Sequence, residues 1–194
     1  MSFETLETAH LIIRPFVLDD LSSIHRIMDR AFGNGSQVSD RAAVAERRSW
    51  LQWQVLNQEW LPKLRQPPYG DRAIVLRATQ EIVGSIGYVP YLDAFERIPE
   101  LASSPSPGGF NTPEFGLFWV IDPDHQRQGY ATEAARAMIE YAFTHLRLKR
   151  IIAATEHSNA ASQGVMRKVG MTLTRNPFPD PPWLQVVGVL ENPG

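Results

Sequence analysis

Phe115-Gly116-Leu117-Phe118-Trp119-Val120-Ile121 runs directly into Asp122-Pro123-Asp124-His125-Gln126-Arg127-Gln128-Gly129-Tyr130-Ala131-Thr132. The first seven residues are almost unbrokenly apolar, the pattern of a central strand buried on both faces. Beyond the turn, Ala131, Ala134, Ala135, Met138, Ile139, Ala142, Phe143 and Leu146 recur with alternating gaps of three and one, a single stripe on a helix. The first turn of such a helix leaves amides without intrahelical partners, and with the helix dipole they attract an anion. Gly129 and Ala131 let a bulky diphosphate approach the main chain, Thr132 offers a hydroxyl, and Arg127 adds a fixed positive charge. An ordinary turn closed by a glycine fits the same residues. Two nucleotide alternatives fail on spacing, because neither GxGxxG nor GxxxxGK[ST] is present.

Upstream, Thr8 to Phe16 reads as a strand, and Asp19 or Asp20 can cap a helix from Leu21 to Phe32 that Gly33-Asn34-Gly35 stops. A second helix over Arg41 to Leu64 carries Trp50, Trp53 and Trp60 near one face, where packing into the core is the first expectation and lining an acceptor pocket the second. Strands over Ala73 to Arg77 and Ile82 to Val89 flank the turn Thr79-Gln80-Glu81. Pro99 to Pro113 is a loop rich in Pro, Ser and Gly. Downstream come a strand over Arg150 to Thr155, a helix over Asn159 to Val169 ended by Gly170, the proline-rich loop Asn176 to Pro182, and a strand over Trp183 to Leu190. There is no internal repeat and no second core, so the expectation is one mixed α/β domain over residues 1–194.

Composition narrows the function classes. The 194 residues are 43% apolar and 21% charged, an ordinary globular mixture. The absence of cysteine excludes disulfides, thiolate metal sites and a cysteine nucleophile. A formal charge of −2 gives no reason to expect nucleic acid or an acidic membrane as partner. No stretch approaches the ~18 apolar residues of a membrane span, and the opening residues do not read as a secretory signal. A cytoplasmic protein without metal, as monomer or homodimer, is expected.

Gln126-x-x-Gly129-x-Ala131 resembles the pyrophosphate motif of the GNAT N-acetyltransferase superfamily. Asn159-x-x-Ser162, followed by Arg167-Lys168-Val169-Gly170-Met171, resembles its second conserved block. The opening Thr8-Ala9-His10-Leu11-Ile12-Ile13-Arg14-Pro15 is similar to the start of the branch that acetylates N-termini of ribosomal proteins. The order of strands and helices read above is also the family's order. The resemblance implies a mostly antiparallel sheet splayed at the strand before the pyrophosphate loop, acetyl-CoA as co-substrate, and an amine acceptor.

It also implies roles for individual residues. The amides of Trp119, Val120 and Ile121 would bond the pantetheine arm, with one N–H near Val120 polarising the thioester carbonyl. Gln126, Arg127, Gln128, Gly129, Tyr130, Ala131 and Thr132 would hold the pyrophosphate. Asn159 would touch the pantetheine as well as cap its helix, and Ser162 would lie near the thioester sulfur. Glu114 would draw a proton from the amine through water, although a solvated glutamate following Pro113 is the first expectation for its position. His125, Glu156 and His157 flank the motifs as lesser candidates. Where many relatives carry a proton-donating tyrosine this chain has Met166, which cannot donate and reads as core. An α-amine near pKa 7.8 costs only about 0.5 kcal/mol to deprotonate at pH 7.4, against about 4 for a lysine amine. A single carboxylate therefore suits an N-terminal α-amine better than a lysine side chain. A small-molecule amine as acceptor and an idle acyl-CoA-binding module are the alternatives.

Overall fold

The apolar run becomes a strand in a computed structural model that describes residues 5–33, 40–98, 101–102 and 111–194, with only the backbone at Arg97. The elements in chain order are β1 (Leu6–Glu7), β2 (Leu11–Pro15), α1 (Leu21–Phe32), α2 (Arg41–Lys63), β3 (Gly70–Leu76), β4 (Ile82–Asp93), β5 (Thr112–Ile121), α3 (Tyr130–Thr144), β6 (Arg150–Thr155), α4 (Ala160–Lys168), β7 (Thr172–Arg175) and β8 (Val186–Glu191). This is a mixed α/β fold in which β5 and β6 pair in parallel and the other described pairs are antiparallel. Among the described residues no helix is long and apolar enough to cross a membrane. The chain divides into two compact units, and β4, β5 and α3 each contribute to both.

The first unit comprises the stretch up to Tyr88 together with Phe118–Met138. Here β2 pairs with β1 and β3, and β3 with β4, in registers such as Ile13↔Ile74 and Ala73↔Ser85. Strand alternation buries Leu11 and Ile13. Helical spacing puts Ile24, Ile27 and Met28 on one face of α1, where they join Phe16, Leu51, Val75 and Val120 in a core. The Tyr88 hydroxyl donates to the Met138 carbonyl at 2.6 Å, fixing α3 against β4.

The second unit comprises Val89–Leu117 and Ile139–Gly194. In it β5 meets β6 at Gly116↔Ile152, and β8 pairs with both β6 and β7. Phe95, Ile98, Leu101, Ile152, Leu184 and Val187 form its core.

Several expectations change, among them the bounds of β3, which begins at Gly70, and of β4, which runs on to Asp93. The sequence pattern packs Trp53 and Trp60 inward, yet they are 52% and 51% exposed, and only Trp50 packs, edge-on to Phe16 at 5.6 Å. α2 buries Leu51 and Gln54, and at 3.6 residues per turn Trp53 and Trp60 fall about 130–150° round the helix from that face. Asp20 stands at the N-cap of α1 without capping it, because its carboxylate takes both Arg14 nitrogens at 2.8 and 2.9 Å and the Val17 N–H at 2.9 Å. β5 begins at Thr112, taking in Pro113 and Glu114 at its start, where a missing N–H is tolerated. β8 begins at Val186 because Pro182–Leu184 winds into a 3-10 turn first. Most of the Pro99 to Pro113 loop lies outside the described residues.

Candidate functional site

The turn between β5 and α3 is left-handed at two points, with φ of 62° at Arg127 and 90° at Gly129. Such reversals turn successive N–H groups to one side and make a concavity suited to an anion. The first intrahelical bond of α3 runs from the Glu133 N–H to the Gly129 carbonyl, so Tyr130, Ala131 and Thr132 have no intrahelical acceptor for their amides. A Cβ built on Gly129 meets nothing within 4 Å, so the space over the turn is open. Arg127, Gln128 and Gly129 are exposed, and Tyr130, Ala131 and Thr132 half-buried. The Gln126 side chain turns back to donate to the Ile121 carbonyl at 3.2 Å, so it shapes the turn from within. Val120 and Ile121 are buried and Trp119 half-buried.

A buried acid fixes this turn. Asp122 is 0% exposed; its carboxylate accepts from Arg26 at 2.5 Å, from Arg30 at 2.9 Å and from the Asp124 N–H at 3.2 Å, while its own N–H donates to the Val83 carbonyl at 2.8 Å. Arg30 also grips Asp124 at 2.8 and 2.7 Å, and this hydrogen bonding holds the Asp124 carboxyl below its ordinary pKa. The start of α3 is held from the other side. Glu133 accepts from the Thr8 hydroxyl at 2.6 Å and the His10 N–H at 2.8 Å, which ties the opening Thr8-Ala9-His10 stretch to the helix. Burial alone would raise the Glu133 pKa, but these bonds outweigh it and leave it lowered. None of this network was read from the sequence, although Arg26 and Arg30 share a face of α1 at four-residue spacing.

The first unit holds a further acid missed by sequence reasoning. Asp71 on β3 is half-buried, accepts from the Ser85 hydroxyl at 3.1 Å, and has its N–H bound by Gln54 Oε1 at 2.7 Å. Burial pushes its pKa up to about 6, against the smaller opposing effects of Ser85, Arg72 and Arg47. A carboxyl that holds its proton more firmly when folded favours folding at low pH, and that advantage is lost as pH rises through about 6. Asp71→Asn, which keeps an acceptor for Ser85, is therefore expected to stabilise the protein at pH 8 by up to roughly 3 kcal/mol, with little change at pH 4. Calorimetric melting at both pH values checks this, and equal midpoints for parent and variant at pH 8 would refute it.

In the second unit Asn159 caps α4, accepting the Ser162 N–H at 3.0 Å, and Ser162 lies half-buried in the first turn. Met166 is 1% exposed, as the core reading expects. Gly170, at φ 94°, follows the end of α4. Glu114 is buried on β5, and both its oxygens accept from Arg150, one from Nε at 2.9 Å and one from Nη2. This hydrogen bonding raises the Arg150 pKa still further. Glu156 and His157 are exposed, and His125 is half-buried with Nε2 3.7 Å from Glu81. Among the described residues no His, Cys, Asp or Glu group suits a metal ion.

The chain is similar to known acetyltransferases. The family model of the acetyltransferase (GNAT) domain matches residues 10–172. The uncharacterized N-acetyltransferase YnaD of Bacillus subtilis is 36% identical over 106 residues, which are 53% of this chain and 52% of YnaD, so the chain spans about half the length of that relative. An acetyltransferase from Agrobacterium tumefaciens shares the fold with a TM-score of 0.68 at 22% identity, over 98% of this chain and 96% of that one. RimL, a ribosomal L7/L12 alpha-N-protein acetyltransferase solved with coenzyme A, shares it with a TM-score of 0.64 at 14% identity, over 97% and 98%. With the motifs in family order and more than half its length matched, the chain belongs to the GNAT acetyltransferase family.

Proposed function

We propose that this chain is a cytoplasmic N-acetyltransferase, one domain over residues 1–194, that moves an acetyl group from acetyl-CoA to a protein N-terminal α-amine. The open left-handed turn at Arg127 and Gly129, with its row of first-turn amides, is the observation that carries the reading. Its concavity, the dipole of α3 and the Arg127 charge suit a diphosphate. Acetyl-CoA would supply the activated acetyl group. In this reading Gln126 braces the turn, Arg127 to Thr132 hold the diphosphate, and the main chain of Trp119, Val120 and Ile121 binds the pantetheine arm, with the Val120 amide at the thioester carbonyl. Asn159 adds a polar contact beside its cap, and the Ser162 hydroxyl stabilises the departing sulfur. Met166 cannot serve as an acid, and a thiol on the scale of cysteine's pKa of about 8.5 needs little help to leave.

Glu114 is assigned the amine's proton, relayed through water. Arg150 occupies one lone pair on each of its oxygens and orients the carboxylate, leaving others to accept. Glu114→Gln is expected to lower turnover about 100-fold, most severely below the pKa of the amine, with acetyl-CoA affinity unchanged. An unaltered pH–rate profile would remove Glu114 from the mechanism. The α-amine preference draws on the low cost of deprotonating it and on the likeness to RimL, whose name states that activity. A thiol-release screen with acetyl-CoA against peptides, free amino acids, polyamines and aminoglycosides tests the reading. Release with peptides bearing a free N-terminus supports it, and no release with any amine refutes it.

A further inference from the structure

In the second unit the end of β4 lies beside the start of β5. Gly84 lies against Val120 and Ile121, and Gly116 against Val89, so the two strands run antiparallel. Tyr91 is two residues on from Val89 and Glu114 two back from Gly116, which sets them opposite each other. Opposed residues on one face of a sheet have Cβ atoms about 4.5–5.5 Å apart. Two observations put both side chains on the same face. A Cβ built on Gly116 would overlap the Tyr91 ring, and strand alternation gives Glu114 the face of Gly116. On β6, Ile152 belongs to the core that Tyr91 packs against, and Arg150, two residues back, reaches Glu114.

The Tyr91 ring is held in place. It stands edge-on to the fully buried Phe95, with ring centroids 6.0 Å apart, and lies over Gly116. Its hydroxyl makes no hydrogen bond among the described residues, and it is not one of the buried polar atoms left unpaired there. The ring is therefore packed while the hydroxyl reaches solvent. Burial raises the Tyr91 pKa, so the phenol keeps its proton and can both donate and accept. The order β4-β5-β6 then separates two partners of Glu114. Arg150 holds the carboxylate from the β6 side, and the phenol stands on the β4 side.

We propose that Tyr91 positions the water through which the acceptor amine passes its proton to Glu114, an assignment that rests on Glu114 being the base. As the amine nitrogen bonds the thioester carbon and the C–S bond breaks, the amine gives its proton to the water. The water gives one to Glu114, and Tyr91 ends with its own proton. Turnover of acetyl-CoA with a peptide bearing a free N-terminal α-amine, followed by thiol release, tests this in a double-mutant cycle. Tyr91→Phe keeps the ring and is expected to lower kcat about 10-fold, the worth of one hydrogen bond. The KM for acetyl-CoA and the melting midpoint should stay at the parent values. Combined with Glu114→Gln, it should cost nothing beyond the loss from Glu114→Gln alone, because the two act through one water. Parental turnover in Tyr91→Phe, or losses that multiply in the double variant, would overturn the assignment alone. Parental turnover in Glu114→Gln would overturn it together with the base.

Discussion

Gly129→Val is expected to abolish acetyl-CoA binding, at least a 100-fold loss by calorimetry, while the protein keeps a cooperative thermal transition. Two properties of the position separate these effects. A Cβ built there meets no atom within 4 Å beyond its chain neighbours, so the first carbon of the side chain displaces nothing in the fold. The cost to the fold is the strain of a β-branched residue at φ 90°, about 1–3 kcal/mol, or several degrees of melting temperature for a chain of this length. The cost to a ligand is larger, because the valine methyls would fill the open space above the first-turn amides. An affinity equal to the parent's would mean that the diphosphate binds elsewhere.

Asp122→Ala is expected to give the largest loss of stability of any single change to the turn. The carboxylate it removes is wholly buried and accepts from Arg26, Arg30 and the Asp124 amide. Breaking a fully buried pair costs about 3–5 kcal/mol, and because both arginines are about a third exposed and regain water, about 2–4 kcal/mol is expected here. The midpoint should fall on the order of 10 °C. The turn would lose the anchor that sets its direction into α3, so acetyl-CoA affinity should fall as well. An unchanged midpoint would show that Arg26 and Arg30 find equivalent partners in water.

What could be read in advance follows from how local each signal is. α1 over Leu21–Phe32 and β6 over Arg150–Thr155 were legible to the residue, because a stripe or an apolar run ends there at a sharp change of composition. The Asn159 cap was legible because capping is a contact with a residue three positions on. β7, four residues long, is too short to show alternation. The two exposed tryptophans of α2 misled, since ring size suggests burial, whereas Leu51 and Gln54 mark the buried face. The Asp122 network joins residues more than ninety positions apart, and the raised pKa of Asp71 arises from burial, which no local pattern reports. The turn itself was legible as a possible cradle, but its left-handed residues and open space needed coordinates.

The most direct test of the central claim is product mapping on a peptide that carries both a free N-terminal α-amine and an internal lysine. After incubation with acetyl-CoA at pH 7, tandem mass spectrometry locates the added acetyl group. Modification is expected at the α-amine, in the parent protein and not in Gly129→Val. Acetyl on the lysine side chain, or equal product with the Gly129 variant, would contradict it.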